Sequence, residues 1–592
     1  MKKVLGLVLL VAIAIITLPA LGTESLYIAF PPSSYQTTAS HIFLLGTAPS
    51  SGQVLVNGTR IERSPSGHFA PSFPLRLGDN LFRVQYQNQQ TQINVKRLST
   101  QAQPPIGLAF GKDSLTPSVD IARMPGEIIC FSAIAPPKSL VWVELGGQTI
   151  TLLPKTQNVQ LPSNFAALTQ ANRPFSQSVA GQYQSCATLP ETGASLGQPK
   201  YQLTMDGATT SQTAPGKISV ISPLHLEIAE VTADAGVARS GPSTDYSRLT
   251  PLPKGTQAAI TGREGKWLRL DYGGWIDSAE TRISSGAVPP RSLIRSILAR
   301  QVQGTTEVSF PLQVPVPVSV QQSDRTLTLT LYNTTAQTDV IHLDDDPVIS
   351  RLDWQQIAPN QVQYTFNFKQ KQQWGYKLRY DGTTLILSLQ HPPQIGAVSE
   401  YPNQSSLALS GIKIILDPGH GGTDSGTSGP TGLNEKDVTL TMAKLVREQL
   451  IAKGATVYLT RAEDKSVSLV ERVAMIDKLG AAISISIHYN SLPDDGDTQH
   501  VQGMGAFWYN AQAHSLAVFM QNYIVDQLKR PKYGVFWDNL ALTRPTSTPS
   551  VLLELGFMSN PVEFEWVVNS QEQKKLAIAI ADGITQWFST TQ

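Results

Sequence analysis

The hardest constraint on this chain is a change of hydrophobic period near residue 410. Before it, apolar residues recur at every second position in short runs separated by turn residues. After it, short apolar runs alternate with stretches whose apolar residues fall at helical spacing. The first pattern makes half-buried strands. The second makes a sheet covered by helices on both faces. One core cannot hold both, because the chain has 592 residues and single cores stop growing near about 250–300 residues. The expected fold class is therefore multidomain: several N-terminal all-β modules, then a C-terminal α/β domain with a mixed sheet covered by helices.

The first 22 residues predict the compartment. Lys2-Lys3 precede an apolar run over 4–18, and Ala20-Leu21-Gly22 follow with small outer residues. That order is a secretory signal with a cleavage site. The run is short against the roughly 20 residues of a full span, and Pro19 breaks it. The expectation is an exported protein of the periplasm or cell envelope, with residues 1–22 removed and no permanent membrane span. Lys and Arg number 46 against 45 Asp and Glu, which excludes a polyanion-binding surface spread over the molecule and, with it, nucleic acid as a partner. Two cysteines, Cys130 and Cys186, exclude Cys-based zinc fingers and iron–sulfur clusters. In an oxidising compartment they suit one disulfide, worth about 4 kcal/mol by loop-closure entropy.

Within the β part, residues 25–98 carry the hairpin signal Asn57-Gly58 and resemble small immunoglobulin-like modules. Residues 99–222 are a β-rich region with both cysteines, and the Ser/Thr/Gln/Gly-rich stretch 181–217 is expected to be partly linker. Residues 223–285 contain Arg239-Ser240-Gly241-Pro242, Pro253-Lys254-Gly255-Thr256 and Gly274-Trp275-Ile276. They resemble a bacterial SH3 domain, a family whose members commonly bind peptidoglycan. Trp267 and Trp275 are expected in its core. Residues 288–395 alternate at period two and resemble an AMIN domain, a β-sandwich targeting module. Residues 396–410 read as a linker.

Over 411–592, strands are expected at 412–416, 456–460, 483–487, 506–509 and 551–555, with helices at 435–453, 469–479, 515–528 and 575–588. Sites in such sheets form beyond the carboxyl ends of strands. Asp417-Pro418-Gly419-His420-Gly421-Gly422 follows the first strand, Glu435 opens a helix, His488-Tyr489-Asn490 follows the third strand, and Glu554 interrupts an apolar strand. Two histidines and one carboxylate suffice for a catalytic zinc, and a second carboxylate can serve as general base. Singly, Glu435 reads as a helix-start acid favourable to the dipole. Glu554 is odd alone, since an unpaired buried charge is expensive.

Together these motifs, with Leu459-Thr460-Arg461 and Leu553-Glu554-Leu555-Gly556-Phe557-Met558-Ser559-Asn560, resemble the zinc-dependent N-acetylmuramoyl-L-alanine amidases of the Amidase_3 type. The resemblance implies Zn2+ held by His420, Glu435 and His488, with Glu554 as the catalytic carboxylate. It implies hydrolysis of the amide joining N-acetylmuramic acid to L-alanine in peptidoglycan, for wall remodelling or daughter-cell separation. Asn490 is a candidate substrate contact. Arg461 and Arg472 read as structural residues that pair with carboxylates or carbonyls. Competing readings are a zinc peptidase cutting within the stem peptide and a catalytically silent wall-binding scaffold. Activator or divisome proteins stay open as partners. About a dozen residues separate Asn490 from Gly503, too few for the site-covering insertion that some of the family carry.

Overall fold

The computed structural model describes residues 25–100, 103–162, 173–190, 195–285, 288–394 and 407–591. The signal expected at 1–22 and most of the linker expected at 396–410 lie outside the described residues. Among the described residues, no helix is long and apolar enough to cross a membrane.

Among the described residues before 391, everything regular is strand, apart from one short 3-10 turn at Ser278–Glu280. In residues 25–98, Val54–Val56 pairs antiparallel with Thr59–Arg60. Asn57 and Gly58 adopt φ of 49° and 82°, the left-handed pair a two-residue hairpin needs. Cys130 and Cys186 face each other across an antiparallel pair and are joined by a disulfide. The stretch 181–217, expected to be partly linker, holds strands among its described residues. It completes a strand ending at Thr188 and forms the hairpin Lys200–Met205 with Ala208–Thr213. Its polar residues alternate with buried Tyr201 and Leu203, so a low-hydrophobicity segment still has one core face.

Strand Gln257–Glu264, in the 223–285 region, pairs with Ile121–Arg123 of the preceding region, so one sheet joins the two. Trp267 and Trp275 are buried there. Residues 288–394 form a five-stranded and a four-stranded sheet packed around Ile294, Phe310, Leu329, Tyr364 and Leu387.

The C-terminal domain contains β1 (Lys413–Pro418), α1 (Glu435–Ala452), β2 (Thr456–Leu459), α2 (Leu469–Leu479), β3 (Ile483–Asn490), β4 (Met504–Trp508), α3 (Ala511–Leu528), β5 (Lys532–Trp537), β6 (Ser550–Phe557), α4 (Pro561–Val568) and α5 (Ser570–Thr591). The sheet order is β2-β1-β3-β6-β4-β5. The first four strands are parallel, and β4 joins β6 antiparallel with β5 parallel to β4. Strand β3 runs on through His488 and Asn490, so these residues end the strand rather than follow it.

Modules touch the catalytic domain at both ends of its sheet. Near the site end, Tyr35 Oη donates to Asp494 at 3.2 Å, Ser66 N–H to Glu565 at 2.7 Å, and Thr498 Oγ1 to Ala70 O at 2.7 Å. Elsewhere, Trp374 of the 288–394 unit stacks on Phe588 at 6.0 Å inside the catalytic core.

Candidate active site

Three side chains converge where β1, α1 and β3 meet. His420 sits just past β1 with φ of 61°. Glu435 is the first residue of α1, and His488 lies on β3. Glu435 Oε2 is 3.1 Å from His420 Nε2, and Oε1 is 3.0 Å from His488 Nδ1. One donor atom from each residue lies within 4.8 Å of the others. The approach depends on missing side chains: a Cβ on Gly419 would lie 2.3 Å from the His488 ring, and one on Gly426 would lie 2.5 Å from Glu435 Oε2.

Each member is oriented from behind. The Glu435 carboxylate, 4 % exposed, accepts from Thr427 N–H at 3.0 Å and from Tyr489 N–H at 3.1 Å. His420 Nδ1 meets Asp424 at 2.9 Å, which turns Nε2 inward, the outer-shell partner that a ligating imidazole needs. Arg472 Nη2 donates to His420 O at 2.6 Å. Arg472 also pairs with the fully buried Asp417 at 2.6 Å, and Asp417 accepts from Thr460 and Ser486. Arg461 donates to the carbonyls of Pro418, Gly419 and Lys436. Both arginines therefore brace the β1 end.

Burial works against charge on Glu435, but the two histidines outweigh it and hold the carboxyl far below the usual carboxylate range. Burial likewise opposes charge on His488, yet Glu435 pushes it up to about 9. His420 is raised by the same balance. Two imidazole nitrogens and one carboxylate oxygen are a donor set that suits a divalent metal.

Glu554 on β6 is the register partner of His488 on β3, so the two side chains share a face of the sheet. Its Oε2 is shut off from solvent and has no hydrogen-bond partner. Burial raises its pKa well above the carboxylate range. His488 opposes the rise, Glu435 adds to it, and His420 opposes it. Burial and Glu554 together push the neighbouring Tyr533 hydroxyl up to about 12. Asn490 lies at the end of β3, with Oδ1 accepting from Ser491 N–H at 2.8 Å. Asp424, a second-tier candidate from the sequence, lies only four residues from its partner His420, whereas Tyr533 carries no sequence signal because Glu554, which acts on it, comes from another strand.

Residues 414–586 match the family described as Amidase_3: N-acetylmuramoyl-L-alanine amidase. A probable cell wall amidase LytH of Staphylococcus epidermidis is 36 % identical over 188 residues, which are 31 % of this chain and 62 % of that protein. The one from Staphylococcus aureus is 37 % identical over 183 residues, 31 % and 60 %. The chain thus spans about three fifths of the length of these curated relatives. Among solved structures, N-acetylmuramoyl-L-alanine amidase AmiC2 of Nostoc punctiforme is 34 % identical, covering 30 % of this chain and 99 % of that chain, with a TM-score of 0.29.

Proposed function

We propose that this chain is a zinc-dependent N-acetylmuramoyl-L-alanine amidase of the cell envelope, cutting the amide between N-acetylmuramic acid and L-alanine in peptidoglycan. The observation that carries this reading is the His420–Glu435–His488 cluster beside a buried Glu554, inside the segment matched to the amidase family. His420, Glu435 and His488 would hold the zinc. When bound, zinc supplies Lewis-acid polarisation of a carbonyl oxygen and makes water more acidic.

The chain's own residues do the rest. Glu435 is held by Thr427 N–H, Tyr489 N–H and both rings, so it is fixed as a ligand and does not shuttle protons. Glu554 has an unengaged oxygen and a raised proton affinity. It takes a proton from the attacking water and returns it to the leaving amine of L-alanine. The His420 side chain is 23 % exposed, which leaves the cluster open to a polymeric substrate. The 25–98, 223–285 and 288–395 regions act as immunoglobulin-like, SH3-like and AMIN-like modules that hold the enzyme on the wall and raise its local concentration there.

Two measurements test this. Mass spectrometry of soluble products from purified peptidoglycan is expected to show stem peptides with a free L-alanine amino terminus and intact glycan. New amino termini within the stem peptide would instead mark a peptidase. Second, zinc affinity is expected to fall as the pH falls, because Glu435 raises the proton affinity of both His488 and His420 and ligating imidazoles must be deprotonated. Competition with a chromophoric chelator across pH reads this directly, and a pH-independent affinity would contradict it.

A further inference from the structure

Three segments border the site residues: the 427–434 hairpin before Glu435, the 491–503 segment after β3, and α4 after β6. The 25–98 module touches all three. Glu435 closes the hairpin at its base. Its carboxylate accepts from Thr427 N–H at 3.0 Å, and its own N–H donates to Thr427 O at 2.8 Å. Ser428 bridges to Asn434, and Gly429 N–H donates to Leu433 O at 2.9 Å. At the tip, a Cβ on Gly429 would fall into the Phe564 ring of α4, and one on Gly432 would lie 2.7 Å from Tyr27 Oη of the module. Neither glycine has a side chain with which to anchor the tip, so its position depends on what packs against it.

The module supplies part of that packing. The His68 ring meets Phe564 edge to face, 5.3 Å between centroids at 84°. Both are buried, at 8 % and 1 % exposed. His68 Nδ1 lies 2.9 Å from Thr47 Oγ1, which fixes the ring from inside the module. Beside it, Ser66 N–H donates to Glu565 at 2.7 Å. In the 491–503 segment, Thr498 Oγ1 donates to Ala70 O at 2.7 Å, and both residues are shut off from solvent.

A buried hydroxyl and carbonyl that separate each lose a partner, and an aromatic pair adds to the area it buries. Such a seam imposes one geometry, which a flexible tether to the wall would not need. Nor does the module plug the site, because the His420 side chain stays 23 % exposed with the module seated.

We propose that the 25–98 module completes the active site: His68 against Phe564 and Tyr27 against Gly432 are positioning residues that hold the 427–434 hairpin and, through it, the Glu435 carboxylate. This rests on the amidase reading, in which Glu435 is a zinc ligand.

The test uses the full chain carrying H68A. The first readout is hydrogen exchange without metal. The amides of Gly429, Gly432 and Glu435 donate within the hairpin. They are expected to exchange about tenfold faster, the upper end of what one aromatic pair contributes. H68F keeps a ring on Phe564 and is expected to keep the protection. Unchanged exchange in H68A would overturn the proposal, because a module that only tethers leaves the hairpin alone. Equal losses in H68A and H68F would also overturn it, by placing the effect in the module's own folding. Should H68A fold poorly, Thr498→Val removes one hydroxyl from the same seam, and unchanged hairpin exchange is again the overturning result.

The second readout is zinc affinity by chelator competition. His68 acts through Phe564 and the hairpin, so H68A is expected to lose about three- to tenfold, less than most direct outer-shell partners of a ligand. Faster exchange with unchanged zinc affinity would overturn the link to Glu435. Turnover of a soluble muramyl peptide is expected to fall alongside, which loss of a wall tether would not produce. Wild type that binds no zinc and releases no stem peptide would sink the amidase reading. Wild type that does both, beside an H68A protein equal to it in exchange and affinity, would sink this inference alone.

Discussion

Glu554→Gln is expected to lower turnover by about 10²–10⁴-fold, the usual contribution of a positioned acid–base group, with zinc content unchanged. Glutamine has nearly the same shape but cannot accept and return a proton. The carboxylate it replaces is not part of the His420–Glu435–His488 cluster, and its Oε2 has no partner to leave stranded. Thermal stability should hold or rise, because a buried group without a hydrogen-bond partner becomes permanently neutral. Steady-state kinetics beside metal analysis of both proteins checks this. A loss of zinc, or activity within about tenfold of wild type, would reassign Glu554 to a structural role.

The contrast with Glu435 shows how far the sequence could be read. Glu435 by itself is an acid at a helix start, and nothing in its neighbourhood along the chain distinguishes it from a dipole partner. Its environment comes from Thr427 and from β3, more than 50 residues away. Glu554 announces itself because a carboxylate interrupts Val551-Leu552-Leu553, and local hydrophobicity is visible in one dimension.

The same logic governs the elements. Helix Leu469–Leu479 is legible to the residue, since Ser468 and Glu471 form a capping box at its start and Gly480 ends it in the left-handed region. Strand β5 is not legible. It is an edge strand, half-exposed along its length, with Gly534 inside it, so it shows neither alternation nor a buried run. Helix α4 is missed because it is short and apolar nearly all round, which hides the helical period. The antiparallel return of β4 and β5 has no periodic signature either. The seating of the modules depends on isolated polar residues. Tyr35 meets Asp494 across 459 positions and Thr498 meets Ala70 across 428, and no pattern marks such pairs.

Asp417→Asn is expected to destabilise the catalytic domain by about 3–5 kcal/mol, the cost of breaking a buried ion pair from one side. Asp417 is fully buried and Arg472 is 3 % exposed. Oδ1 accepts from Arg472 and Thr460, and Oδ2 from Ser486. Asparagine keeps the volume and removes the charge, so Arg472 is left uncompensated in the interior. The same guanidinium donates to Pro418 O and His420 O, so its displacement also frees the turn that carries His420. Activity should therefore fall together with stability. Replacing both residues by apolar ones of similar volume should restore much of the stability but not the activity, because the carbonyl of His420 still loses its donor.

The pH dependence has a definite sign. Burial alone would raise the Asp417 pKa, but Arg472, Ser486 and Thr460 outweigh it and hold the carboxyl below the ordinary 3.8. A depressed native pKa gives stability that is present above the unfolded value and is lost as pH falls through the native one. Asp417→Asn should flatten that acid limb below about pH 4 while lowering stability at neutral pH. Denaturant midpoints measured from neutral pH to pH 3 would show both effects. An unchanged acid limb would mean that the charge of Asp417 does not hold this end of β1.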